Sequence, residues 1–348
     1  MTRRGLTLVV SAVLALALTV VGSRLPVPYV ALAPGVVADT LGESEEQSLI
    51  RVEGRETFPT EGRLALTTVD VVARLNLGSA VRGWFSDRYA VVPREQVFPP
   101  GQTAEQTRSS NIASFTSSQT AATAAALTEL GVQYSPVVGV GQVNPGAPAD
   151  GVLQPGDTLL AVDGRPVTDV RSVVDLVGAR QPGEDVVIRY LRDGEEREAT
   201  LTTTRSDDGR PLIGVLPGLV GLEYPFDVSI VLPESLPEIG GPSAGLMFAL
   251  GIVDKLTPGP LTGGRVVAGT GAIDTTGAVS PIGGIRQKLI AAREYGAEVF
   301  LTPAANCAAA VGGIPDGLRL VRVETLDDAV TGLEQLAAGG DPPGCDGA

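Results

Sequence analysis

The chain contains no histidine. That absence excludes Ser-His-Asp and Cys-His nucleophile systems and every His-based zinc site, so hydrolytic chemistry here has to find another base. Lysine is almost absent as well: among 26 basic residues only Lys255 and Lys288 are lysines. Arginine cannot give up its proton in a protein, whereas a desolvated lysine amine can become neutral and accept one. A lysine in an arginine-using chain is therefore a candidate base. Lys255 precedes Leu256-Thr257-Pro258-Gly259 near a helix end, where a cation is ordinary. Basic residues form no cluster with aromatics, and the net charge of −14 repels polyanions, which excludes nucleic acid as a partner. No metal set or cofactor is expected. Cysteine is limited to Cys307 and Cys345. They are either a disulfide stapling the C-terminal tail in an oxidising compartment or two free thiols, and neither has a histidine to make it a nucleophile.

What is present fits a folded chain of several domains. Its 348 residues and 43% hydrophobic content suffice for two or three packed cores, and its glycines and prolines lie between periodic apolar segments. Arg3 and Arg4 precede an uncharged apolar run, residues 6–22, and Pro26 and Pro28 follow it. This pattern predicts a single-pass anchor at the cell membrane with the body outside the cytoplasm; a cleaved signal peptide is the competing reading.

Residues 27–131 alternate strand-like runs with loops, then reach an Ala-rich helix stopped at Gly131. Within them 42–46 reads as an acidic solvated loop. From 132 to 204 a compact unit follows, with strands, a helix over 170–179 and a hairpin around Asp193-Gly194. The motifs Pro145-Gly146-Ala147-Pro148-Ala149, Pro155-Gly156-Asp157 and Val162-Asp163-Gly164 make this unit resemble a PDZ domain of the bacterial protease-associated kind. The resemblance implies binding of peptide C-termini by strand addition. Leu130-Gly131-Val132 either stands for the carboxylate-taking loop or caps the preceding helix.

After a linker at 205–210, Gly240-Gly241-Pro242-Ser243-Ala244-Gly245 opens a helix over 242–255, following a loop at 233–241. A serine among small residues at a helix N-terminus suits a nucleophile, because unpaired first-turn amides can hold an oxyanion; an ordinary N-cap is the alternative. Downstream, a helix over 285–295 ends at Gly296. Ile285, Leu289 and Ala292 mark its inward face, Gln287 lies away from it, and Lys288 points partly inward. Desolvation and the helix dipole both lower the pKa of a lysine so placed, as a base requires.

Gly241-Pro242-Ser243-Ala244-Gly245, Thr270-Gly271 and Pro281-Ile282-Gly283-Gly284-Ile285-Arg286-Gln287-Lys288 together resemble the proteolytic domain of the Lon family. That resemblance implies Ser243 as nucleophile, Lys288 as base and Thr270 as the residue that hydrogen-bonds the lysine. Ala272 stands where the family often has glutamate, and Gly240 replaces an acidic residue of some members. No Gly-x-x-x-x-Gly-Lys-Ser/Thr loop is present, so no ATPase is read from these residues.

The expected fold class is α+β multidomain: stub and transmembrane helix (1–26), a mixed α/β region (27–131), a PDZ domain (132–204), a Lon-type α/β proteolytic domain (205–340) and a tail (341–348). The expected function is ATP-independent serine endopeptidase action on unfolded or flexible extracytoplasmic proteins. Family analogy adds a homo-oligomer. The rivals are a non-catalytic PDZ adaptor and a signal-peptidase-like Ser/Lys enzyme, against which the motif spacing argues.

Overall fold

The structure is a computed structural model that describes residues 3–42, 48–99, 101, 103–206, 208–232 and 240–345. The acidic loop at 43–46, most of the loop at 233–241, one residue of the 205–210 linker and the last tail residues lie outside that description.

The chain begins with helix α1 (Arg3–Ser23), then forms β1 (Tyr29–Asp39), β2 (Ile50–Glu53), β3 (Arg63–Val72), α2 (Leu77–Trp84), β4 (Ala90–Pro93) and the long helix α3 (Ala104–Glu129). Next come β5 (Ser135–Val143), β6 (Thr158–Val162), α4 (Val170–Gly178), β7 (Asp185–Arg192), β8 (Glu195–Thr202) and β9 (Val215–Glu223). The last part supplies β10 (Asp227–Ile230), α5 (Gly245–Leu256), β11 (Val266–Gly269), and the hairpin β12 (Ala272–Ile273) with β13 (Val279–Ser280). It closes with α6 (Ile285–Tyr295), β14 (Val299–Pro303), α7 (Cys307–Val311), β15 (Arg319–Val323) and α8 (Leu326–Ala337).

Among the described residues no helix is long and apolar enough to cross a membrane. This overturns the expected single-pass transmembrane helix, and with it the single-pass placement at the cell membrane. Helix α1 covers 21 residues, of which Arg3 and Arg4 are charged and Thr7, Ser11, Thr19 and Ser23 are polar. Just past its end the chain is tied to the body, where Leu77 N–H donates to the Leu25 carbonyl at 2.9 Å.

Six strands in the order β15-β14-β11-β3-β1-β4 form the main sheet, with β15, β14, β11 and β3 parallel and β1 antiparallel to both β3 and β4. In β3, Leu64, Ala65 and Leu66 are all buried, the continuous apolar run of a strand covered on both faces. Leu64, Leu66, Val267 and Leu301 join one core with α3, α5 and α8, whereas Ala65, Ala268 and Phe300 join another with α6 and the cysteines. Residues 27–131, read above as a region of their own, thus lend β1, β3 and β4 to the sheet built from residues after 265.

The middle of the chain folds as an antiparallel sheet in the order β8-β7-β6-β5-β9, with α4 packed on it. Val138, Val140, Val162, Ile188 and Leu201 form its core with Val173 and Val177 of α4. Asp193 and Gly194 both adopt positive φ, as a two-residue hairpin demands. Strand β9 lies beyond residue 204 and pairs with β5 from Val215 opposite Val143 to Glu223 opposite Ser135. Leu130-Gly131-Val132 caps α3 instead of forming a carboxylate loop. Gly131 is left-handed, and Val132 N–H donates to the Leu127 carbonyl at 2.8 Å, closing a Schellman turn.

Candidate active site

Two helices approach the main sheet from opposite faces and bring Ser243 and Lys288 together at the C-terminal end of β11, where ligand sites of open α/β sheets lie. Ser243 stands just before α5, whose N-cap is Ala244 and has no side-chain cap bond. The serine is therefore not a helix cap. Its loop rests on α3: Gly241 N–H donates to the Asn111 carbonyl at 2.9 Å, and Ser118 Oγ donates to the Pro242 carbonyl at 3.0 Å. Among the described residues the amides of Ser243 and Ala244 have no acceptor, so they are open to an oxyanion.

Helix α6 starts after Gly284, which sits at φ +68°, and a Cβ there would lie 2.7 Å from Val69 Cγ2. Only glycine lets α6 come this close to β3. The preceding turn is clamped by Asn306, which accepts from Ile282 N–H at 2.9 Å and donates to the Ile282 carbonyl at 3.0 Å. Lys288, in the first turn, is 2% exposed. Gln287, expected on the outer face, is buried too.

The Lys288 Nζ lies 2.8 Å from Ser243 Oγ, 2.9 Å from Thr270 Oγ1 and 2.9 Å from the Thr67 carbonyl oxygen. Burial pulls the ammonium down from its usual range to about 7. The three contacts also orient the amine. Thr270 Oγ1 spends its one hydrogen on the Ser243 carbonyl at 2.9 Å, so it can only accept from the lysine. The Thr67 carbonyl can only accept. A neutral amine has two hydrogens and one lone pair, so with both hydrogens committed the lone pair faces Ser243 Oγ. The Ser243 carbonyl, held also by Gly271 N–H at 2.9 Å, keeps the serine from rotating away.

The structure thus brings Ser243, Lys288 and Thr270, all named from sequence, into one hydrogen-bonded group. Lys255 sits elsewhere, in the last turn of α5. Sequence reasoning missed Thr67, Asn111, Ser118 and Asn306. Three of these act through the backbone or a lone polar side chain far along the chain, which leaves no local pattern. Cys307 and Cys345 form a disulfide, with 5.1 Å between Cα atoms, pinning the tail against α7 beside Asn306.

Comparison with known families matches residues 115–203 to the PDZ domain and residues 223–334 to the Lon protease (S16) C-terminal proteolytic domain. Lon protease 2 of Bacillus subtilis is 36% identical over 105 residues, which are 30% of this chain and 18% of that protein. The Lon protease of Azorhizobium caulinodans is 37% identical over 118 residues, 32% of this chain and 13% of the relative. The chain spans less than a fifth of the length of these relatives. Among solved structures, the PDZ domain of an SdrC-like protein from Listeria monocytogenes is 27% identical, with a TM-score of 0.22, covering 23% of this chain and 85% of that one. Strands β1, β3 and β9 lie outside the two family matches, apart from the last residue of β9. The chain is a PDZ-containing, Lon-like protein with a serine peptidase domain.

Proposed function

We propose that this PDZ-containing Lon-like protein is an endopeptidase that uses Ser243 as nucleophile, Lys288 as general base and Thr270 to orient the lysine, and that works without ATP on unfolded or flexible polypeptides. The observation that carries the reading is the Lys288 amine with both hydrogens committed and its lone pair on Ser243 Oγ. Lys288 takes the Ser243 proton as Oγ attacks the scissile carbonyl, and the amides of Ser243 and Ala244 receive the oxyanion. The resulting ammonium gives its proton to the departing amine. Water, deprotonated in turn by Lys288, hydrolyses the acyl-enzyme and regenerates the serine.

The substrate class follows from the absence of a nucleotide loop in these residues, since nothing here couples hydrolysis to unfolding. Peptide C-termini are taken by the PDZ unit along β9, which ends its sheet, beside exposed Val174 of α4 and Leu216 of β9. Assembly into a homo-oligomer rests on the Lon likeness. The test is to incubate the protein with a permanently unfolded substrate. Cleavage that disappears in Ser243→Ala is expected, and peptide binding without any turnover in the parent returns the chain to an adaptor.

A further inference from the structure

Strand β9 closes the PDZ sheet and leads directly into the peptidase domain, yet the physical link to Ser243 runs through a different element, helix α3. On the PDZ side, Gln142 of β5 is the register partner of Leu216 of β9, so it lies in the strand pair against which an added peptide would rest. Its Nε2 donates to Ser110 Oγ of α3 at 3.3 Å. On the peptidase side, the next residue, Asn111, accepts Gly241 N–H with its carbonyl oxygen. Its side chain is also packed against the loop, since a Cβ built on Gly240 would lie 2.9 Å from Asn111 Cβ. Ser118, two turns on, holds Pro242. The loop that presents Ser243 is therefore seated on the helix that Gln142 grips, and α3 also packs against β9 itself.

We propose that Gln142 is a positioning residue for the peptidase: through Ser110 and Asn111 it fixes the Gly241–Pro242 backbone, so that the state of the PDZ sheet sets how Ser243 is presented. The proposal rests on the reading of Ser243 as nucleophile. The chemistry supports a strong effect from a small shift. Gly241 N–H is bound to a single acceptor, and the reacting oxygen sits two residues later, where displacement of about 1 Å can cost ~100-fold in rate. Gln142 touches neither substrate nor the Lys288 amine, so its influence falls on the fraction of time the serine is aligned and not on proton affinity.

The experiment uses the full chain and its Gln142→Ala, Ser110→Ala, double and Ser110→Thr variants. A fluorophosphonate reads the labelling rate of Ser243, and amide hydrogen exchange reads Gly241. Gln142→Ala is expected to slow labelling roughly three- to tenfold, to speed exchange at Gly241, and to leave both the thermal midpoint and the pH midpoint of labelling where they were. Ser110→Ala should do the same, the double variant should be no worse than either single, and Ser110→Thr, which keeps the hydroxyl, should match the parent. Unchanged exchange at Gly241, unchanged labelling, or additive losses accompanied by a lower thermal midpoint overturns the proposal. A parent that is not labelled at Ser243 overturns the site reading instead, and exchange at Gly241, measured equally well in Ser243→Ala, then decides this one.

Discussion

Thr67 and Lys288 are 221 residues apart in the chain and share a hydrogen bond of 2.9 Å, from the lysine Nζ to the threonine carbonyl oxygen. A backbone acceptor from the centre of the sheet takes one amine hydrogen, and Thr270 takes the other. The amine is thereby aimed by the fold, and its partner in β3 cannot be removed by a side-chain change.

If Lys288 is the base, Lys288→Arg abolishes turnover although the cation and most of the stem remain, because arginine does not accept the serine proton. A loss of at least ~10³-fold is expected, comparable to Ser243→Ala, with the double variant little worse than either single. Steady-state cleavage with folding checked by circular dichroism decides it. A folded Lys288→Arg protein near parental turnover would remove the dyad.

The pH dependence has a definite sign. The working form is the neutral amine, which appears as pH rises through about 7. The kcat/KM profile should climb close to tenfold per pH unit on the acid side and level off above it. For stability, the folded-state value lies below the ordinary lysine value of 10.5. Between those two values the unfolded chain binds the extra proton, so stability falls as pH decreases through that window and is level below it. Denaturant titrations of the parent and of Lys288→Met between the two limits test this. Equal slopes with pH in both proteins would argue against a lowered lysine.

Thr270→Val keeps the shape of the side chain and removes both of its hydrogen bonds. The amine then has a hydrogen free to point at Ser243 Oγ in place of the lone pair. A fall in kcat of about ten- to a hundredfold, with KM little changed, is expected from losing one buried partner of ~1–3 kcal/mol. Thr270→Ser should recover most of it. Equal activity of the valine and serine variants would deny the threonine an orienting role.

The disulfide closes a segment between residues separated by 38 positions. Chain-entropy reasoning assigns such a link about 3–4 kcal/mol. Cys307→Ala with Cys345→Ala should lower the denaturation midpoint accordingly, and non-reducing peptide mapping of the parent should show the linked fragment. Two freely alkylated thiols would exclude the bond.

The members of the hydrogen-bonded group were legible in the sequence because they are rare or tightly spaced. A lysine among arginines and a serine between glycines stand out, and the helix over 285–295 is bounded by its own glycines. The hairpin at Asp193-Gly194 was legible for the same local reason. The supports were not, because Thr67 contributes a carbonyl that any residue possesses, and Asn111 and Ser118 are ordinary polar residues on a long helix. The role of β1, β3 and β4 was hidden because parallel pairing such as Leu66 with Gly269 joins distant segments and leaves no periodicity behind. The spanning helix expected from the apolar run is not found among the described residues.

The interleaving of early and late strands in the main sheet has a consequence for biosynthesis. Strand β3 emerges from the ribosome long before β11 and α6, and it must wait for them through the making of the whole PDZ unit. Until then neither the Thr67 carbonyl nor Ser243 Oγ has the Lys288 amine to meet, and the hydrogen-bonded group proposed to cut peptide bonds is not assembled. The PDZ sheet, whose contacts are local by comparison, can fold during that interval and meet the growing peptidase domain already formed. The group proposed to carry proteolysis is thus completed only late in synthesis, by the order of strands.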